Sequence, residues 1–330
     1  MTENGNFKRR VRARAAKTGE SYTAALRHIR GTAPNDLAPK PKSLRLAVAQ
    51  TTACDDPRDI AGLRGCGQDM RRLMREAHRA GARLVHFPEG ATCSPNKRIM
   101  SSTGRDQIGP ADWSRFEWSV LREELAATRQ LARELRLWTV FGSVHPLTPP
   151  NRPHNSLYVV SDRGELVTRY DERMLSNTKI SFMYAPGSIP VTFEVDGIGF
   201  GCTLGMESHF PEIFAEYERL GVDCVLFSTT GGFAIDGPDF AAEMQGHAAA
   251  NSYWAGFAVH AQNSAPSGIV APGGRWVAQC PADGTALIAV ADIDDNRGNL
   301  ARLWRRTARS GIYQPHLVDD DPRSGGRDTF

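Results

Sequence analysis

Hydrophobic and polar positions along the chain set out an alternating order of strands and helices. Residues 44–50, LRLAVAQ, form an apolar run of buried-strand type that opens the globular part. Over residues 58–81, Ile60, Leu63, Cys66, Met70, Leu73 and Ala77 recur at helical spacing with charges between them. This predicts an amphipathic helix that stops at Gly81. Residues 83–87 read as the next strand, ended by Pro88-Glu89-Gly90, and residues 112–135 as a second long helix, followed by the strand WTVFGSVHP. Residues 155–160 and 165–170 flank Ser161-Asp162-Arg163-Gly164, a hairpin by its turn chemistry.

A polar, irregular loop, RYDERMLSNTKISFMYAPGS, then leads into residues 197–214, GIGFGCTLGMESHFPEIF. That stretch begins as a glycine-punctuated strand and turns at Gly205-Met206-Glu207 into a helix opened by Phe210-Pro211-Glu212. A strand-to-helix elbow commonly presents a nucleophile at its tip, but the tip here is Gly205, which has no side chain. Strands at 222–228 and 254–260 enclose a helix at 240–252; short strands at 269–270 and 276–278 flank Pro272-Gly273-Gly274, and residues 286–290 close the sheet. The inserted hairpins imply mixed sheets, and the order fits two sheets covered by helices on their outer faces better than one doubly wound sheet.

Charge separates an arm from a body. The net charge is +3, yet residues 1–42 hold ten Lys/Arg against Glu3, Glu20 and Asp36, leaving the remainder net acidic. Residues 7–30 have helix-forming composition interrupted at Thr18-Gly19-Glu20-Ser21, which predicts two short helices with Thr18 or Ser21 capping the second. Residues 31–41, with three prolines, read as a linker. Such an arm can bind nucleic acid; the commoner use of a charge run is a solvated helical hairpin packed on the body or on another subunit. Six cysteines lie scattered without paired spacing, and no run of 18 apolar residues occurs. The expectation is a cytoplasmic protein with reduced thiols, no structural zinc, no cofactor and no membrane partner.

The motif order resembles the nitrilase superfamily of carbon–nitrogen hydrolases over roughly residues 44–293. The resemblance rests on Ala47 to Gln50, the FPEG at Phe87 to Gly90, the Asn155-Ser156 strand, the Tyr170…Leu175 loop, the elbow ending in FPE, Asn251 on a late helix and the turn at Pro272. It implies a four-layer αββα sandwich with two mixed sheets, organised as an arm (1–42), a catalytic-type domain (43–296) and a tail (297–330). It also implies a homodimer or larger assembly with inner helices at the interface, and a tail crossing onto the partner through Tyr313 and Leu317. From about Arg302 the tail itself shows mixed charge with little periodicity, and its last eight residues read as disordered.

Members of that family use a Glu–Lys–Cys triad. Carried over position by position, Glu89 matches the general base, the lysine position is Glu172 and the cysteine position is Gly205. Lys179 lies seven residues after Glu172, where many relatives carry a glutamate, which raises a charge swap that keeps a cation in the pocket. Cys202 faces away from residue 205 by strand alternation and reads as a core thiol; Thr203 and Ser208 lack a positioned base. Glu207, beside the elbow, adds a third candidate carboxylate, and Asn155 and His209 complete the candidate binding residues, with no ligand spacing for a metal. Three functions follow. The first is a non-hydrolysing homologue that binds a small nitrogen-containing ligand or a partner subunit, including an intact relative. The second is a repurposed enzyme using Glu89 and Glu172 as acid and base. The third is residual hydrolysis by direct water attack.

Overall fold

The computed structural model describes residues 3–19, 21–23, 25–26, 42–231, 239–262, 265–296 and 298–325. The chain divides into two compact units, Met1–Pro41 and Lys42–Phe330. In the first, helix α1 (Glu3–Thr18) exposes Lys8, Arg9, Arg10, Arg12 and Arg14, Gly19 follows it at φ +72°, and the described residues 22, 23, 25 and 26 are helical. Most of the expected second helix, the linker at 31–41 and the end of the chain from 326 lie outside the described residues.

In the second unit twelve strands form two six-stranded sheets among the described residues. The first sheet runs β12 (Ile288–Asp294), β1 (Ser43–Ala49), β2 (Leu84–His86), β3 (Trp138–His145), β4 (His154–Val160) and β5 (Leu166–Asp171). The second runs β11 (Trp276–Gln279), β10 (Gly268–Val270), β9 (Trp254–Ala258), β8 (Cys224–Ser228), β7 (Ile198–Leu204) and β6 (Thr192–Val195). Both are mixed: β1, β2 and β3 run parallel, as do β7, β8 and β9; hairpins supply most of the antiparallel pairs, and β12, from the far end of the domain, pairs antiparallel with β1.

Strand alternation decides which residues fill which layer. On β1, Leu44, Leu46 and Val48 face the second sheet, where they meet a core with Phe193, Phe200, Leu204 and Leu226. Ala47 and Ala49 face outward onto α2 (Ile60–Arg79), which packs beside α3 (Trp118–Leu135) through Met70, Leu73 and Leu131. The outer face of the second sheet is covered by α4 (Pro211–Leu220) and α5 (Phe240–Asn251) through Phe214, Tyr217 and Met244. The result is the αββα order expected from the sequence. Each fully buried leucine or valine in these layers contributes about 1.5–3 kcal/mol.

Three elements differ from the sequence expectation. The helix expected from residue 112 starts at Trp118, because the Asp112 carboxylate accepts the Ser114 amide and closes a separate tight turn over Trp113–Arg115. Strand β6 is additional; its four residues are too few for an alternation signal. The tail forms a helix, α6 (Leu300–Arg309), whose polarity is inverted. Arg302 and Arg305 face the body while Leu300, Leu303 and Trp304 are exposed, so an apolar-in template does not find it.

Candidate functional site

Four side chains and one amide converge on Gly205 where the two sheets meet. Glu89 follows β2, and the close approach of its loop to β3 requires Gly142: a β-carbon there would lie 2.4 Å from both Pro88 O and Gly90 N. Asn155 sits near the start of β4 and Glu172 immediately after β5, tied by the Glu172 amide to Asn155 O at 2.9 Å. Lys179 opens a short π-type turn, Lys179–Met183, closed by the Tyr184 amide on Lys179 O at 2.9 Å. Turns of this kind are rare and tend to mark functional sites. Trp113 Nε1 donates to Met183 O and the Ala111 amide to Phe182 O, which pins the turn from outside.

This arrangement drives the Lys179 ammonium between the two glutamates. Its Nζ lies 2.5 Å from Glu89 Oε1, and 3.0 and 2.7 Å from the two oxygens of Glu172. Asn155 Nδ2 donates to both carboxylates, at 2.9 Å to Glu89 Oε1 and 2.5 Å to Glu172 Oε2, and the Thr230 amide donates to Glu89 Oε2 at 3.1 Å. Gly205 lies at the elbow with φ +51°, in the left-handed region that glycine tolerates best. A β-carbon built on it would come within 3.0 Å of Glu172 Oε1, 3.2 Å of Lys179 Nζ and 3.3 Å of Glu89 Oε2. The tip of the elbow is thus filled by the Glu–Lys–Glu cluster itself.

The cluster is nearly dry: Glu89 and Glu172 are buried and Lys179 almost so. Burial opposes charge on all three groups, and the outcome differs with the partners each one has. Glu89 is pushed up by burial, but Lys179, Asn155 and the Thr230 amide outweigh this and hold it below the ordinary carboxylate value. For Glu172, burial wins over the pull of Lys179, and repulsion from Glu89 and Glu207 adds to it, so its pKa rises to about 8. Lys179 stays above the ordinary lysine value despite burial, because Glu172 and Glu89 both favour its charge. One ammonium cannot neutralise two carboxylates, so near neutral pH the pair holds one proton, chiefly on Glu172.

The remaining candidates lie outside this cluster. Glu207 is fully buried and ties the elbow to the β5 loop: it accepts the Tyr170 hydroxyl at 2.7 Å, the Arg173 amide at 2.6 Å and the Leu204 amide at 2.8 Å. His209 bonds Glu243 Oε1 through Nδ1 at 2.6 Å and packs on Phe240. Cys202 is fully buried in the layer between the sheets, and burial raises its thiol pKa. Thr203 and Ser208 are buried with hydroxyls that have no hydrogen-bond partner among the described residues.

Three contributors were not found by reading the sequence. The Thr230 amide and the buried Tyr184 ring carry no residue-type signal of their own, and Lys97, eight positions after Glu89, is one lysine among many. Thr230, Lys97, His260 and Asn96 help line a cavity of about 530 Å³ beside Glu89.

A mixed-sheet αββα sandwich with a buried carboxylate and lysine at a strand-to-helix elbow defines the class. The carbon-nitrogen hydrolase family model matches residues 45–302, and the chain belongs to that family. Among solved structures, a mutant of the Nesterenkonia AN1 amidase from the nitrilase superfamily superposes with a TM-score of 0.63 at 17% identity, covering 82% of this chain and 99% of that one. The Caenorhabditis elegans NitFhit protein superposes with a TM-score of 0.66 at 18% identity, covering 85% of this chain and 66% of that one. Two Mycobacterium tuberculosis proteins named Hydrolase MT0498 and Hydrolase Rv0480c are each 26% identical over 199 residues, 57% of this chain. The match spans 62% of the length of those relatives.

Proposed function

We propose that this chain is a carbon–nitrogen hydrolase relative that does not hydrolyse through a covalent thioester and instead binds a small nitrogen-containing ligand in the cavity beside Glu89. The observation that carries this is the position of Lys179: its ammonium and the two carboxylates crowd the space that a side chain at residue 205 would need. Attack on an amide or nitrile carbon needs a nucleophile there and a cation facing the developing oxyanion. Gly205 offers no nucleophile, and Glu172 stands where the family resemblance expects the lysine. In this reading Lys179 and Glu172 have exchanged the usual charges, leaving a closed and mutually satisfied network. Glu89 Oε2 accepts the amide of Thr230, which lines the cavity, so a ligand there sits against the residue that holds this carboxylate.

A second reading rests on the divergence of the two carboxylates. Glu172 rises to about 8 while Glu89 stays ionised, the separation that acid–base pairs use, so proton-transfer chemistry without a nucleophile is compatible with the same cluster. Calorimetric titration with short amides, nitriles and amines, alongside mass-spectrometric detection of products and ammonia, distinguishes the two. The binding reading expects saturable heat with no product and no ammonia. Ammonia release from an amide by the wild type, abolished in Glu89→Gln, would sink it. Turnover without ammonia that survives thiol alkylation and disappears in Glu89→Gln establishes the second reading.

A further inference from the structure

Lys97 is a half-buried cation with no carboxylate of its own. It stands on the single helical turn Lys97–Met100, which follows the Glu89 loop, and lines the cavity beside Glu89. Its ammonium donates to the Thr178 hydroxyl, and no described carboxylate lies within ion-pair distance. The nearby acids, Glu89 and Glu172, are already bridged by Lys179. Burial, with the neighbouring Lys179, opposes the charge on Lys97 more than Glu89 and Glu172 favour it, so the fold holds this ammonium at an energetic cost.

Arg98, the next cavity residue, gives its guanidinium to the Arg105 and Asp106 carbonyls, at 3.3 and 2.8 Å, and has no acidic partner among the described residues. Asp55 is the one described acid lining this cavity, and it accepts the Asn96 amide. The wall therefore carries an excess of positive charge, and Thr230 on the same wall donates its amide to the buried Glu89 behind it.

We infer that Lys97 is the anion-recognising residue of this cavity, and that the ligand is a small carboxylate that also carries an amide or amine nitrogen. Its carboxylate pairs with Lys97 and its N–H lies toward Glu89. This rests on the ligand-binding reading given above and narrows it to one chemical class. An ion pair in a partly desolvated wall outweighs the cost of holding the ammonium there, whereas a neutral isostere leaves that cost uncompensated. Arg98, more exposed and already held by carbonyls, is expected to steer the anion more than to bind it.

N-acetylglycine and its neutral isostere N-acetylglycinamide test the inference, titrated by calorimetry into the full-length wild type, Lys97→Met and Lys97→Arg. The expected result is at least tenfold tighter binding of the acid by the wild type, no discrimination by Lys97→Met, and partial retention by Lys97→Arg. Unchanged thermal unfolding midpoints of the three proteins report that the variants remain folded, and the neutral amide is expected to lose far less affinity than the acid in Lys97→Met. Equal affinity of the wild type for acid and amide overturns the anion inference and leaves the ligand-binding reading standing. Loss of both affinities together in Lys97→Met and Lys97→Arg also overturns it, since Lys97 would then support the fold without reading the charge. If neither compound binds the wild type, the ligand-binding reading fails with it.

Discussion

At the scale of single residues the site is decided by three positions, and two of them make sense only together. Lys179 bridges Glu89 and Glu172 at 2.5 and 2.7 Å inside a nearly dry cluster, so removing its charge leaves two buried carboxyls without their cation. Breaking a buried pair this way costs about 3–5 kcal/mol. If the two positions have exchanged charges, Glu172→Lys and Lys179→Glu should each destabilise strongly, while the double reversal recovers a coupling energy on the order of 2 kcal/mol. Urea unfolding of the four proteins at pH 7 measures this, and strict additivity would show that the two side chains do not act as a pair. Gly205 is the third position. At φ +51° any side chain meets the left-handed penalty, and its β-carbon would press on Glu172 at 3.0 Å. Gly205→Ala should cost about 1–2 kcal/mol from the backbone alone, and a neutral result in thermal unfolding would mean that the elbow relaxes freely.

Among the elements, those that follow an apolar-in rule were legible in the chain, and those that break it were not. The run at Leu44 to Ala49 gave β1 because alternate residues feed two different layers, and the spacing from Leu63 to Ala77 gave α2. Lys179 was reached from its distance to Glu172, but nothing local announces that residues 179–183 wind as a π-type turn that aims it inward. The helix α6 was missed for a sharper reason: its arginines, not its leucines, dock it. Arg302 is buried, bonds Asp223 Oδ1 at 2.8 Å and donates to the Gly221 and Val222 carbonyls, while Arg305 donates to the Ala250 and Asn251 carbonyls at the end of α5. Arg302→Ala would strand Asp223 and two carbonyls and should cost about 3–5 kcal/mol. The exposed Arg306 provides a control on the same helix, with Arg306→Ala expected within about 0.5 kcal/mol of the wild type. Similar urea midpoints for the two variants would show that α6 is held by something other than its arginines.

Over the whole molecule the cluster exists only because both sheets close on it. Glu89, Asn155 and Glu172 come from the first sheet, Gly205 and the Thr230 amide from the second, and the buried His86–Ser228 hydrogen bond of 2.6 Å joins the sheets beside them. Closing the sandwich fixes how many protons it holds, so global stability must depend on pH. Burial lowers His86 to about 3 and also lowers His145, His247 and His260, which makes the unfolded chain the better proton binder in acid; this contribution rises with pH and is complete above about 6.5, the ordinary histidine value. Glu172 acts in the opposite direction. Its folded pKa of about 8 lies above the unfolded value, so its contribution is fully present below the unfolded pKa and is lost as pH rises through the folded one. The histidines and the thiols are common to the wild type and Glu172→Gln, so the difference in unfolding free energy between the two isolates this carboxyl. From pH 5 to 8 the wild type should lose ground to the variant with a slope approaching about 1.4 kcal/mol per pH unit, and the gap should level off above pH 8. A difference that stays flat across that range would mean that Glu172 is ionised throughout, with Lys179 neutralising both carboxylates more effectively than one ammonium in a dry pocket should.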